Sequence, residues 1–419
     1  MQDEGYFDVI VVGAGPIGAA TARHLSERGA SVLVVGPDEP AGFADHDGVW
    51  AGYYDQGRLA HVLEVPLMTS MLAMRSIRRF PDLQKRTGVE FATPRHSLTV
   101  MPDDSEGGGL ADWFNRAVLA RNAADLNVAV QNLSDEELRR EYPDLQFAPG
   151  HVGIVQRDAF IVNPRTLVRA ELAAAVSHGA VLIRDAVDSV ERSLRGVRVT
   201  SRSGETWRAG KVVVATGAAT NFGGLLPRPL DMRTYGATVV LVEVSDPAEF
   251  DIPAMMYLKA SGDQVVYGGI VMSPLQYPDG RWYLKCSGRS LLDNPLESAE
   301  AIARWVRTGG RQEDIRESLD LLAELLPGKT FGPAHTRPCM VCETPTALPY
   351  IDRVDEHTIV AIEGERAQWR PTKSAGSLQD SRSTDSGPTA FRTRPSRPAG
   401  RNRRSRLRCA RSRPPDPHE

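Results

Sequence analysis

Apolar positions along this chain come in short blocks set off by glycine, and their period switches from strand to helix and back within the first 35 residues. Asp8–Val12, apolar from Val9 on, reads as a buried parallel strand, Gly13–Gly18 as a tight turn, Ala19–Arg28 as a helix and Ser31–Val35 as a second strand. Together they predict one βαβ unit. Asp55 to Phe80 reads as largely helical, Thr93–Met101 as a strand, Ser105–Gly109 as a glycine-rich loop and Leu110–Ala124 as a helix. The amphipathic helix Asn163–His178 stops at Gly179, and strands follow at Ala180–Ile183, Val197–Thr200 and Lys211–Ala215. Residues 236–290 are strand-rich and close on a hairpin about Pro278-Asp279-Gly280. Ser298–Arg307 and Glu313–Leu326 then return to helical spacing.

The patterning ends at Glu365. Of the last 55 residues 13 are Arg, Ser and Pro are frequent, and aliphatic periodicity is lost. Such text cannot bury enough apolar surface to offset its ordering entropy, which predicts disorder over 365–419. Arg-, Pro- and Ser-rich text is also what GC-rich coding sequence yields out of frame, so a frameshift after about Gly364 is the competing reading. The net charge of −3 divides at the same point: 14 Lys+Arg stand against 5 Asp+Glu in the tail, and 36 against 48 before it. An acidic body gives no reason to expect nucleic acid as a partner.

At 41% hydrophobic and 25% charged, the 419 residues have the composition of a soluble globular protein with two domains or one large discontinuous one. The longest apolar run, around Asp8–Ala20, is broken by glycine and too short to span a bilayer, and Met1–Tyr6 is acidic rather than a basic leader. Four cysteines (Cys286, Cys339, Cys342 and Cys409) give no disulfide framework. A cytoplasmic protein without a membrane partner is expected.

Gly13-Ala14-Gly15-Pro16-Ile17-Gly18 is a G-x-G-x-x-G between a strand and a helix. Gly13 allows the turn, Gly15 lets backbone approach a pyrophosphate, and Gly18 lets helix and strand pack closely. The second strand of such a unit ends in an acidic residue for the ribose; here Gly36 holds that position, and Asp38 or Glu39 follows slightly further on. Val212–Ala215 runs into Thr216-Gly217, a strand end of the kind FAD-binding Rossmann proteins use on re-entering the cofactor domain. Two such motifs some 200 residues apart favour FAD over NAD. Cys339-x-x-Cys342 lies between Pro338 and Pro345, and leaves open a redox pair, half a zinc site or two buried thiols. Alternation from Trp282 to Cys286 turns Tyr283 and Lys285 to one face and Trp282, Leu284 and Cys286 to the other.

These residues resemble the D-amino-acid-oxidase-like flavoproteins, within them the monomeric sarcosine oxidase and N-methyltryptophan oxidase branch, over roughly 7–364. The resemblance implies a glutathione-reductase-type FAD-binding Rossmann domain in an α/β fold, with an inserted antiparallel-sheet substrate domain. The FAD-binding domain would take 1–85, 155–225 and 330–364, and the substrate domain 86–154 and 226–329. It implies that Cys339, in Arg337-Pro338-Cys339-Met340, carries FAD through a thioether, with a nearby cation such as Arg337 lowering the thiol's pKa. It further implies that Lys285 lies over the flavin where dioxygen is reduced, and that Arg58 and His61 meet a substrate carboxylate. The implied reaction is oxidation of an amine C–N bond to an imine, with dioxygen giving hydrogen peroxide and a neutral amine required. A flavin dehydrogenase or biosynthetic desaturase, and a non-catalytic FAD-binding remnant, are the competing readings.

Overall fold

A computed structural model describes residues 5–42, 50–103, 115–261, 264–287 and 294–364. The described residues belong to one compact unit. The expectations for Ser105–Gly109, for the start of the helix read from Leu110 and for the tail lie outside the described residues.

The first sheet is built around Tyr6–Val12, which pairs in parallel with Val32–Val35 on one side and Thr206–Val214 on the other. Val181–Ile183 extends it beyond Val32–Val35, and Thr358–Ile362 lies parallel to Thr206–Val214. Alternate residues of the central strands enter two different cores: Ile10, Val12, Leu33, Val212 and Val214 one, Val9, Val11, Val32, Val34 and Val213 the other. Both faces are covered, so these strands read as continuous apolar runs rather than alternating ones. Gly196–Ser201 joins antiparallel to Thr206–Val214, and Val187–Ser193 pairs outside it.

The second sheet has eight strands, in the order Ala334–Glu343, Arg233–Val244, Trp282–Ser287, Gln264–Gln276, Ala254–Ser261, Ser97–Pro102, His151–Gln156 and Gln131–Leu133. Its pairings are antiparallel except that Ser97–Pro102 runs parallel to Ala254–Ser261. The hairpin read at Pro278-Asp279-Gly280 is present, closed by Tyr277 N–H donating to Arg281 O at 2.9 Å, with Gly280 at φ +82°.

Three expectations change. Ala334–Glu343 falls inside the 330–364 segment assigned to the cofactor domain, yet it pairs along its length with Arg233–Val244 of the second sheet. Return to the first sheet comes with Tyr350–Arg353 and Thr358–Ile362. The stretch read as helical from Asp55 begins instead with a strand, Arg58–Ala60, paired to Phe160–Val162; helix waits for Leu67–Ile77, after Pro66. Gly57 at φ +71° breaks the chain before that strand, and helical spacing alone did not reveal it. Lastly, Thr93–Met101 divides into Ala92–Pro94 and Ser97–Pro102, which serve different sheets.

Helices Pro16–Ser26 and Pro164–Ser177 pack on each other over the first sheet. Between them the Arg23 guanidinium meets the Glu171 carboxylate with both residues buried, and Arg23 also reaches Glu27 at 3.1 Å. Removing one partner of a buried pair leaves a desolvated charge behind. Glu171→Gln should therefore lower the unfolding free energy by about 3 kcal/mol, read as an earlier urea midpoint. An unchanged midpoint would mean that Glu27 alone satisfies Arg23.

Candidate active site

A cavity of about 540 Å³ opens at the carboxyl ends of the parallel strands, bordered by Val12–Ile17, Val35–Pro37 and Ala215–Ala219. Helix Pro16–Ser26 starts here with Gly15 as its N-cap and no side-chain cap. Its first N–H groups and the positive end of its dipole therefore open on the cavity, a ready seat for an anion. The glycines divide the work. Gly13 holds φ +106°, which a side chain would strain. A Cβ on Gly18 would lie 1.8 Å from Gly13 O, inside the backbone, whereas one on Gly15 would meet only the Tyr53 ring at 3.7 Å. Gly15 thus keeps space open for a ligand, and Gly18 keeps the turn itself possible. Thr216 and Gly217 border the cavity beside Gly13, at the end of the strand paired with Tyr6–Val12, and Thr216 Oγ1 lies 3.0 Å from Thr220 Oγ1.

The acidic residue expected after the second strand is displaced for a steric reason. A Cβ on Gly36 would come within 2.5 Å of Ala14 N, so no larger residue fits there. Asp38 does not take over: its carboxylate points outward to Arg184 at 3.0 Å, and only its backbone oxygen turns back, accepting from Tyr54 OH at 3.2 Å. Glu39 is held by Arg165 at 2.7 Å. The assignment of Asp38 to the ribose is therefore corrected; Gly36 and Pro37 form this edge of the cavity.

Arg58, Cys339, Met340 and Glu363 border the same cavity, with Trp50, Tyr53 and Tyr54 on one wall. Cys339 and Cys342 leave strand Ala334–Glu343 on opposite faces. Cys339 packs against Val239, Leu241 and Tyr277, while Met340 and Cys342 enter the core beside the first sheet. Trp305 Nε1–H donates to Cys339 O at 2.9 Å and fixes the strand at this point. Cys342 donates its thiol to Glu363 O at 3.2 Å. Two side chains on opposite faces do not make a redox pair or share a metal. Burial pushes the Cys339 thiol above its ordinary pKa, and the cation that opposes this most is Arg58, with Lys285 a weaker one. Arg337, expected in that role, sits instead over the Tyr277 ring at 5.4 Å.

Behind Arg58 lies a buried ionic cluster. Asp55 Oδ2 accepts from Arg58 Nη1 at 2.5 Å and from Lys285 Nζ at 2.7 Å, and Asp55 Oδ1 accepts from Tyr277 OH at 2.8 Å. Lys285 donates further to Gly57 O at 2.6 Å and Gln56 O at 3.3 Å. It is 2% exposed, which excludes a solvent-facing lysine. Burial and then Arg58 pull its ammonium down, Asp55 resists, and the balance falls at about 8. Burial would raise the Asp55 carboxyl, but Lys285 and Arg58 hold it well below the usual carboxylate range. His61 does not join them. It is buried, with Nδ1 2.7 Å from Ser97 Oγ and Nε2 3.5 Å from Glu64, and does not border the cavity, which corrects its placement beside Arg58.

A cavity lined by a glycine-rich strand-to-helix turn, a cysteine and an arginine, with a buried lysine behind that arginine, belongs to a flavin-binding fold. The chain is a member of the FAD dependent oxidoreductase (DAO) family, whose profile matches residues 8–368. It is 31% identical over 216 residues to a monomeric sarcosine oxidase of Streptomyces avermitilis, covering 51% of this chain and 52% of that one. It is 24% identical over 218 residues to an N-methyl-L-tryptophan oxidase of Yersinia pestis, covering 50% and 53%. The chain thus aligns over about half the length of these relatives. Its fold is similar to that of NikD, described as an unusual amino acid oxidase essential for nikkomycin biosynthesis, at a TM-score of 0.69 and 21% identity over 87% of this chain and 90% of that one.

FAD fits this cavity: the uncapped helix end suits a pyrophosphate, Gly15 leaves it room, and Cys339 offers a thiol at the other end. Sequence reasoning gave Asp55 no role at the site, and missed Tyr277 and Glu363. The signal available for Asp55 was its i, i+3 spacing to Arg58 in a glycine-containing loop. Gly15→Val should leave a folded protein without flavin, whereas Gly18→Val should lose the fold as well. Flavin absorbance and thermal unfolding distinguish the two, and flavin retained by Gly15→Val would remove the pyrophosphate from this turn.

Proposed function

We propose that this protein oxidises the C–N bond of an amine or amino acid, of secondary-amine, N-methyl or cyclic imino type, to an imine, with dioxygen reduced to hydrogen peroxide. The observation that carries this reading is one cavity lined both by the Gly13–Ile17 turn and by Arg58 and Cys339. The resemblance to the sarcosine and N-methyltryptophan oxidases supports the substrate class. FAD supplies the two-electron acceptor that such an oxidation needs.

Within this reading Gly13, Gly15, Gly18, Thr216 and Gly217 hold the dinucleotide, and Cys339 anchors it through a thioether with Met340 packed beside it. A thioether there would replace the Cys339 S–H and one methyl C–H of the flavin, with the two electrons passing to the flavin and on to dioxygen. Arg58 favours the thiolate this needs against the effect of burial. The Arg58 side chain keeps about a third of its surface, 32%, exposed on the cavity side and offers a guanidinium to a substrate carboxylate. Lys285 supplies positive charge from behind the cavity wall, which favours electron transfer to dioxygen. His61 orders the loop through Ser97.

A peroxide-coupled screen over secondary amines, N-methyl amino acids and cyclic imino acids tests the reaction. Turnover should rise with pH as the amine loses its proton. Flavin bleaching without peroxide would instead identify a dehydrogenase, and a protein that takes up no FAD a remnant. Lys285→Met should still allow flavin bleaching by amine, while oxygen consumption slows about 100-fold or more. After acid denaturation yellow colour should stay with the protein, be released by Cys339→Ala and be retained in Cys342→Ala. Colour washing free of the unsubstituted protein would refute the thioether.

A further inference from the structure

We infer that Asp55 is a positioning residue, the buried counter-ion through which Lys285 is kept protonated and Arg58 is held facing the cavity. The geometry leaves the lysine nowhere else to go. An ammonium has three N–H donors and a neutral amine only two. Lys285 Nζ has three acceptors within reach, Asp55 Oδ2, Gly57 O and Gln56 O, at 2.7, 2.6 and 3.3 Å. The cluster as folded is therefore complete with the charged form. Asp55 is the one carboxylate in it, and its Oδ2 is shared with Arg58 at 2.5 Å while Oδ1 takes the Tyr277 hydroxyl at 2.8 Å.

Lys285 does not border the cavity and Arg58 does. The two cations meet through a single oxygen, so Asp55 links a charge hidden in the second sheet to one that faces the ligand. Arg58 is fixed on its other side by Gly52 O at 2.8 Å and also donates to Gly57 O at 3.2 Å, so Asp55 and these two carbonyls together set its orientation. Among the described residues, the charged and titratable groups around Lys285 are Asp55 and Arg58 from the loop, Tyr277 from the hairpin and Cys339 from the strand two places away in the sheet. The strands on either side present Leu241 and Met272 at its paired positions. Asp55 and Arg58 act on the amine with opposite sign, and that opposition makes the assignment testable.

What the charge does for turnover rests on the amine-oxidation reading; where the charge sits does not. The chain has six lysines, so the flavin-loaded protein labelled with ¹³C-lysine gives a tractable spectrum. The Lys285 Cε signal is identified by its loss in Lys285→Met. In the unsubstituted protein it should titrate near 8. Asp55→Asn should move that midpoint down by about one pH unit or more, a loss of protonated amine that approaches tenfold or more at pH well above the original midpoint. Arg58→Gln should move it up, because the competing cation is gone. A disturbed fold would not shift one group in opposite directions. A midpoint unmoved in folded Asp55→Asn, or unmoved or lowered in Arg58→Gln, overturns the proposal. Should Asp55→Asn fail to fold, the Arg58→Gln titration decides alone. Absence of amine oxidation alongside the expected shifts would overturn the functional reading and leave the positioning of Lys285 intact.

Discussion

Burying the Asp55 carboxylate imposes a requirement on everything around it. Moving a carboxylate and an ammonium out of water costs several kcal/mol for each ion, and only close contact with full hydrogen bonding offsets that. Here the requirement is met by residues far apart in sequence: Arg58 and the carbonyls of Gln56 and Gly57 from the loop, Tyr277 and Lys285 from the hairpin. The loop is thereby moulded onto the second sheet. Gly57 at φ +71° allows the approach, since a Cβ there would stand 2.3 Å from Leu275 Cδ1. Immediately afterwards Arg58–Ala60 pairs with Phe160–Val162, so the loop is tied at both ends. A cation that must face a cavity needs such support, because a free arginine gives up rotamer entropy on meeting its ligand.

What could be read from sequence was whatever depends on neighbours. The parallel strands showed themselves because both faces are buried, which leaves no alternation to confuse with a helix. The G-x-G-x-x-G turn was legible because its spacing is set within the turn itself, where Gly18 packs on Gly13 five residues earlier. Strand alternation also set Lys285 apart from Leu284 and Cys286, and Cys339 apart from Cys342. Distance along the chain hid the rest. Asp55 reads as an ordinary loop aspartate until Lys285, 230 residues on, is seen beside it. His61 carries the right chemistry for a carboxylate, yet Ser97 from another strand holds its ring away. Asp38 sits near the expected position in sequence, but the packing of Gly36 on Ala14 turns the chain so that its carboxylate meets Arg184. Val187–Ser193 carries so many polar residues that its period-2 pattern is weak, and its place is fixed by pairing with Gly196–Ser201.

The register of the second sheet binds the chemistry together. Leu241 stands opposite Lys285 on one side and His335 on the other, and Ala237 stands opposite Cys339. Paired residues share a face, and so do residues an even number apart on one strand. Lys285, Leu241, Ala237 and Cys339 therefore project from one face, two strands apart, toward the loop that carries Asp55 and Arg58. A slip of one residue in Arg233–Val244 would turn Cys339 into the core now filled by Met340 and Cys342, or Lys285 into the one filled by Leu284 and Cys286. Both slips would bury an unpaired polar group or expose a large apolar one. The hydrophobic pattern that makes this sheet stable is thus the same constraint that brings a thiol and an ammonium to one side of the cavity, where Arg58 stands near both.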